Sequence, residues 1–310
     1  MKTLKELRIV FMGTPEFAVA SLKKLVEAGC KVVAVVTSPD KPAGRGLQLQ
    51  ESAVKRFAIE HGLKILQPVK LKDPKFVNEL RNYKADIQVV VAFRMLPEVV
   101  WKMPPLGTIN VHGSLLPQYR GAAPINHAII NGEKETGVTT FLLQHAIDTG
   151  YILLSTSIPI RDNDNAGSIH DKLKELGANL LLDTLKGIAE NKITPKPQRL
   201  LLNEEIKHAP KIYSEHCEIN WQKNGLSIHN LIRGLSPYPT AFTHLNGKKL
   251  KIFAGNYEVH PDSEPGRIRT DKKTYLQFDT GDGSYQITEL QLEGKKRMGI
   301  SDFLRGYHFP

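Results

Sequence analysis

Three side chains of this sequence could together move an acyl group. Asn110 and His112 stand two residues apart in the segment TINVHG (108–113). In an extended chain alternate residues share a face, so both would leave one side of a strand while Ile109 and Val111 pack on the other. Asp148 lies in H145-A-I-D-T-G150, a turn after the apolar run 137–144. A carbonyl carbon attacked by an amine develops an oxyanion, which the Asn110 amide or a protonated His112 can meet; one such donor is worth about 10²–10³ in rate. The amine must also shed a proton and the leaving nitrogen gain one, transfers that suit a histidine and are worth roughly 10²–10⁴. Asp148 could hold the ring, directly or through a water. No G-x-S-x-G elbow occurs, which favours direct attack over an acyl-enzyme. The bland reading remains open on residue types alone: Asn-x-His as a strand-end hydrogen-bonding pair, Asp-Thr-Gly as a plain turn. His145 reads as structural or exposed.

The elements that would position these residues alternate through the first 190 positions. LRIVFMG (7–13) is a β-rich run, EFAVASLKKLVEAG (16–29) has helical spacing closed by Gly29, and KVVAVVTS (31–38) is a second strand. After a polar loop at 39–50, SAVKRFAIEHG reads as a helix and LKILQP as a short strand. DPKFVNELRNYK reads as a helix with Pro74 in its first turn. DIQVVVAF (86–93) is a strand of the doubly covered kind. TINVHG, GVTTFLLQ (137–144) and GYILLSTSIPI (150–160) add strands, and 166–190 reads as a long helix. The alternation predicts an α/β domain over 1–190, a Rossmann-like doubly wound, mostly parallel sheet with ligands outside the carboxyl ends of its strands. The stretch 191–210, with three prolines and no period, reads as a linker. In 211–310 short strands dominate, and Asn246-Gly247 between extended runs marks a hairpin. These strands predict a small OB-like β-barrel.

Composition narrows the classes. With 310 residues there is room for two cores, and only two cysteines, Cys30 and Cys217, occur, far apart. Neither a disulfide framework nor a metal site is expected. The opening MKTLKELRIVFMG lacks a signal-peptide core and no run reaches the ~20 apolar residues of a membrane span, so a cytoplasmic protein with no membrane partner is expected. The net charge of +10 points toward a polyanionic partner, though many basic proteins bind no nucleic acid.

The motifs carry a resemblance. INVHGSLLPQYRGAAPI followed by ETGVTTFLLQHAIDTG strongly resembles the signature of the 10-formyltetrahydrofolate-dependent formyltransferases. That resemblance implies Asn110, His112 and Asp148 as the catalytic trio and 10-formyltetrahydrofolate as the formyl donor, with no metal. It further implies Ser114, Leu115, Leu116 and Pro117 along the folate site, and Arg94, Met95 and Leu96 of AFRMLP (92–97) around the pterin ring. A narrower resemblance runs over nearly the whole chain, to the branch of the family that acts on methionyl initiator tRNA. It is carried by RIVFMGTPEFAVASL, SPDKPAGRGLQLQ (38–50), INW, SPYPTAF and GKKRMGISDFLRG. It implies a tRNA partner met by Lys41 and Arg45 in the inserted loop, and by a C-terminal OB-like domain over 211–310. Lys248, Lys249, Lys295, Lys296 and Arg297 of that domain could contact phosphates, with Lys251 beside them. Each lysine alone reads more readily as a solvated surface residue than as a phosphate contact. A monomer is expected.

Three rival readings remain. A dinucleotide-dependent oxidoreductase would suit the first strand and helix, but M12-G-T-P-E-F-A has one glycine where G-x-G-x-x-G needs several. A non-catalytic tRNA-binding protein would leave Asn110, His112 and Asp148 idle. A formyltransferase of the same chemistry acting on an amino-sugar nucleotide would keep the trio and change the acceptor.

Overall fold

The computed structural model describes residues 2–43, 48–201 and 205–309. Contacts divide the chain into two compact units. Met1–Arg120, Gly137–Ile158 and His170–His208 form the first; Gly121–Thr136, Pro159–Ile169 and Ala209–Pro310 form the second. The units interleave, so the second is assembled from three separate stretches.

The chain begins with β1 (Arg8–Gly13), α1 (Glu16–Glu27) and β2 (Lys31–Val36), followed by short strands β3 (Lys41–Ala43) and β4 (Gln48–Gln50). Then come α2 (Ala53–Glu60), β5 (Ile65–Leu66), α3 (Pro74–Asn82), β6 (Ile87–Val91), α4 (Glu98–Trp101), β7 (Thr108–His112) and β8 (Arg120–Gly121). Helix starts follow local chemistry. The Ser52 hydroxyl accepts from the Lys55 amide at the head of α2, and the Asp73 carboxylate accepts from the Lys75 amide at the head of α3. Pro74 opens α3, where its missing N–H costs nothing.

After α5 (Pro124–Ile130) come β9 (Glu135–Leu142), β10 (Ile152–Pro159), α6 (Ala166–Ala189) and β11 (His208–Ala209). The main sheet runs β10-β9-β7-β6-β1-β2-β5. β1 lies parallel to β2 and β6, and β6 parallel to β7. β9 reverses the pattern, running antiparallel to β7 with Ile109 opposite Leu142 and His112 opposite Thr139. All five residues of β6 are buried, as a strand covered on both faces requires. One side packs Val10, Met12, Val36 and Val90 against Phe76, Val77 and Leu80 of α3. Helix α6 covers the other face behind β7. A Cβ on its Gly177 would stand 3.1 Å from Val111 and 3.3 Å from Val138, and its Thr184 hydroxyl meets that of Thr140 at 2.8 Å. Val111 and Thr140 face this helix, which leaves Asn110, His112, Thr139 and Phe141 on the opposite face.

The second unit holds α7 (Gly225–Leu235), β12 (Ala241–Leu245), β13 (Lys248–Val259), β14 (Ile268–Thr270), β15 (Leu276–Thr280), β16 (Gly283–Leu292), β17 (Met298–Gly299) and α8 (Ile300–Gly306). Its antiparallel sheet runs β12-β13-β16-β15-β14, with β17 added beside β16. It curls as a half-barrel around Leu250, Ile252, Phe278, Tyr285, Ile287 and Leu290, onto which Ile228 and Ile232 of α7 pack. The expected hairpin joins β12 to β13. Asn246 and Gly247 both take positive φ (49° and 77°), the paired left-handed geometry of a two-residue turn. Helix α5 belongs to this unit and approaches α7 so closely that a Cβ on Gly234 would stand 2.6 Å from the Ile130 side chain.

The contact between α6 and β7 is tested by Gly177→Leu. The added side chain must displace Val111 or Val138, at a cost of about 1–3 kcal/mol, read as a lowered midpoint in urea. An unchanged midpoint would mean that the helix does not press on the strand.

Candidate active site

The period of β7 brings two of the sequence-derived residues together. His112 is buried, 7 % exposed, whereas Asn110 is partly exposed on the same face, and no hydrogen bond engages its amide among the described residues. Ile109 and Val111 are buried on the other side.

His112 has one ring nitrogen committed. Its Nε2 lies 2.9 Å from the Tyr119 carbonyl oxygen. A carbonyl only accepts, so Nε2 carries the hydrogen and Nδ1 is the nitrogen left to exchange a proton. Nδ1 faces the Asp148 carboxylate, 3.8 Å from Oδ2, within ion-pairing range and beyond a direct hydrogen bond. The backbone at Tyr119, rather than Asp148, therefore fixes the ring. Tyr119 presents that carbonyl from a left-handed conformation (φ 60°), costly for a bulky side chain, and its amide donates to the Lys207 carbonyl at 2.6 Å. Phe141, opposite Asn110 on β9, sits edge-on to the imidazole at 6.4 Å between centroids.

Asp148 arrives by an unexpected route. Because β9 is antiparallel to β7, the loop after it starts opposite Ile109, not beyond His112, and must double back over the sheet face. Three features hold it there. Asp148 itself takes φ 54°, a conformation that aspartate tolerates. The Leu142 amide donates to the Tyr151 carbonyl at 2.9 Å. Gly150 passes so close to β9 that a Cβ would stand 1.6 Å from the Leu142 carbonyl oxygen.

The residues expected along a folate are arranged in two ways. Ser114 and Leu116 are buried and Pro117 is too; the Ser114 hydroxyl donates to the Gln118 carbonyl at 2.7 Å. The Thr139 hydroxyl ties their backbone down, donating to the Ser114 carbonyl and accepting from the Leu116 amide. Leu115 is the least buried of the four. AFRMLP follows the carboxyl end of β6, which lies parallel and next to β7. Arg94 is held by the Pro68 and Val69 carbonyls, Leu96 is buried, and Met95 is 73 % exposed, with Val69 exposed beyond it.

The basic residues divide as well. Arg45 lies outside the described residues. Lys41 is exposed on β3, and the stem of its loop is fixed by Lys55 paired with both Asp40 and Glu51. In the second unit Lys248, Lys295 and Lys296 are exposed, and Lys249 lies over the Phe242 ring at 3.8 Å. Arg297 is engaged twice, by the Glu289 carboxylate through two 2.7 Å hydrogen bonds and by the Phe253 ring 4.2 Å away. Among the described residues there is no group of three His, Cys, Asp or Glu side chains fit to hold a metal, and no helix long and apolar enough to cross a membrane.

Two neighbours of the candidate site escaped the sequence. Arg120 and Gln198 meet beneath the Asp148 loop, Gln198 only 2 % exposed although it comes from the proline-rich stretch. The signal available for Arg120 was its place inside INVHGSLLPQYRGAAPI; Gln198 had none.

Residues 7–185 match the family model described as formyl transferase, and residues 211–308 match that of the formyl transferase C-terminal domain. Among curated relatives, the methionyl-tRNA formyltransferase of Phocaeicola vulgatus is 55% identical over 313 residues, spanning 98% of this chain and 96% of that protein. The methionyl-tRNA formyltransferase of Bacteroides fragilis is 51% identical over 312 residues, with the same shares. Of solved structures, an N-formyltransferase from Helicobacter canadensis in complex with folinic acid and dTDP-3-aminofucose has a TM-score of 0.69 at 21% identity. It covers 94% of this chain and 100% of its own. At that identity the likeness speaks for the fold.

The close passage of the loop is tested by Gly150→Ala. The methyl group forces the loop off Leu142 and carries the Asp148 carboxylate with it, so turnover falls on the order of 10²-fold and the melting temperature drops. Native turnover at the native melting temperature would show that the close passage does not position the carboxylate.

Proposed function

The chain belongs to the formyl transferase family, and from that membership we propose that it moves the formyl group of 10-formyltetrahydrofolate to the α-amine of methionyl initiator tRNA. The observation that carries the chemistry is the His112 ring: Nε2–H committed to the Tyr119 carbonyl, Nδ1 turned to Asp148, on the strand face shared with Asn110. The α-amine attacks the formyl carbon directly. Asn110 donates to the oxygen as it becomes an oxyanion. His112 Nδ1 takes the proton that the amine loses, with the Asp148 charge beside it while the ring is cationic. As the bond from carbon to N10 of the folate breaks, that proton goes to N10. One C–N bond forms, one breaks, and no acyl-enzyme intervenes.

In this reading residues 1–190 do the chemistry, 191–210 link, and 211–310 hold the tRNA. The folate lies along Ser114–Pro117 with its ring at Arg94, Met95 and Leu96, where exposed Met95 and Val69 suit an apolar heterocycle. Lys41, Lys248, Lys249, Lys295 and Lys296 suit a phosphate backbone, as Arg45 does by its motif. Arg297, already paired and stacked, contributes less free charge. The enzyme acts as a cytoplasmic monomer. An amino-sugar nucleotide as acceptor is the weaker alternative: the relatives that match nearly the full length at half identity are tRNA formyltransferases, while the sugar enzymes share about a fifth of the residues.

Labelled formyl donor offered to charged initiator tRNA, charged elongator tRNA and amino-sugar nucleotides should mark the first; preference for a sugar nucleotide would overturn the acceptor. Asn110→Ala should lower kcat about 10²–10³-fold and His112→Ala about 10²–10⁴-fold, with tRNA affinity little changed. Near-native kcat in either would remove that residue from its role. Replacing Lys248, Lys295 and Lys296 together by Ala should flatten the plot of log affinity against log salt by about 1 for each phosphate that is no longer neutralised; an unaltered slope would take the tRNA off this face.

A further inference from the structure

Gln198 makes every hydrogen bond its side chain is able to make. Its Nε2 donates to the Asp148 carbonyl at 2.8 Å and to the Gly150 carbonyl at 2.8 Å. Its Oε1 accepts from Arg120 Nη2 at 2.6 Å and from Arg120 Nε at 3.0 Å. Two hydrogens and two lone pairs are all used. The four partners also fix the orientation of the amide. Turned over, it would set its oxygen against two carbonyls and its NH₂ against a guanidinium, four unfavourable contacts in place of four hydrogen bonds.

The surroundings make this arrangement rigid. Gln198 is almost wholly buried, and the backbone just before it is sewn to β10 by reciprocal bonds between Lys196 and Ile152, at 2.9 and 2.8 Å. Arg120 is partly buried as well. Burial pushes its guanidinium below the usual value, and the nearby Asp148 charge pulls the other way. The two carbonyls that Gln198 holds bracket Thr149, so they define the turn on which the Asp148 carboxylate rides. Residue 148 stands left-handed at the head of that turn. Gln198 also lies between the two family-matched regions, 7–185 and 211–308, in a stretch that neither covers.

We propose that Arg120 and Gln198 are positioning residues which hold the Asp148 turn against His112, so that the stretch joining the two matched regions completes the active centre. The proposal rests on the reading of Asn110, His112 and Asp148 as the catalytic trio. Neither residue touches the reacting atoms; both act through the placement of one carboxylate.

The test uses the full chain with 10-formyltetrahydrofolate and methionyl initiator tRNA, assayed well below the melting temperature of each variant. Gln198→Met keeps the length and removes all four hydrogen bonds. Its kcat should fall about 10–100-fold while the KM for the donor stays within about twofold, a split that a general loss of structure does not produce. Gln198→Glu can still accept from Arg120 but has nothing to donate to the two carbonyls, and should fall as far. Adding Arg120→Lys to Gln198→Met should cost nothing further, since both act on one turn. Should Gln198→Met not accumulate as folded protein, Arg120→Lys alone carries the test, with an expected loss on the order of tenfold in kcat. Asp148→Asn is run alongside. If it collapses kcat while Gln198→Met and Arg120→Lys run at the native rate, the clamp is refuted and the trio stands. If Asp148→Asn itself runs at the native rate, the reading of the trio fails and the clamp with it.

Discussion

A buried imidazole must answer for both of its nitrogens, and the rest of the site follows from how His112 does so. The Tyr119 carbonyl takes the Nε2 hydrogen, which leaves Nδ1 as the only nitrogen free to exchange a proton. Had a side chain been the partner, it could have rotated away or changed protonation. A backbone oxygen in a tight loop has neither freedom. The loop accepts a left-handed tyrosine to present that oxygen, and the buried serine and threonine hydroxyls at 114 and 139 lock the turn around it. The strain at 119 and the fixed tautomer at 112 are thus two descriptions of one constraint.

The strand beneath supplies the complementary economy. Two-residue periodicity lets β7 serve the core with Ile109 and Val111 and the proposed chemistry with Asn110 and His112. A helix packed as closely as α6, with a glycine where it meets the strand, holds the apolar face flat. The electrostatics are similarly divided, with one carboxylate near the ring and one partly buried guanidinium near the carboxylate, neither isolated from partners.

Much of this was legible from residues alone because it is local. Alternation in TINVHG names its own faces, Asn246-Gly247 forms the left-handed pair that its composition demands, and Pro74 opens a helix where a proline can. The reversal at β9 was not legible, because a buried apolar run reads the same whichever way it lies beside its neighbour. Nor was the path of the Asp148 loop, which depends on that reversal. Gln198 was invisible for a different reason. Its partners Asp148, Gly150 and Arg120 lie 50, 48 and 78 residues back along the chain, and a stretch with prolines and no period announces nothing about what it will reach. Tyr119 contributes a main-chain oxygen, a group that every residue has and no sequence motif distinguishes.

The interleaving of the two units bears on the order in which the protein can be made. Chain emerging from the ribosome delivers 121–136 and 159–169 long before 209–310, the stretch with which they form one compact unit. Until then Ile130 of α5, which packs in the finished molecule beside Gly234 of α7, has no cover from that helix. A nascent chain released at about residue 208 would therefore carry a complete strand order for its large sheet together with an unsheltered apolar helix, the combination that invites self-association and the attention of chaperones.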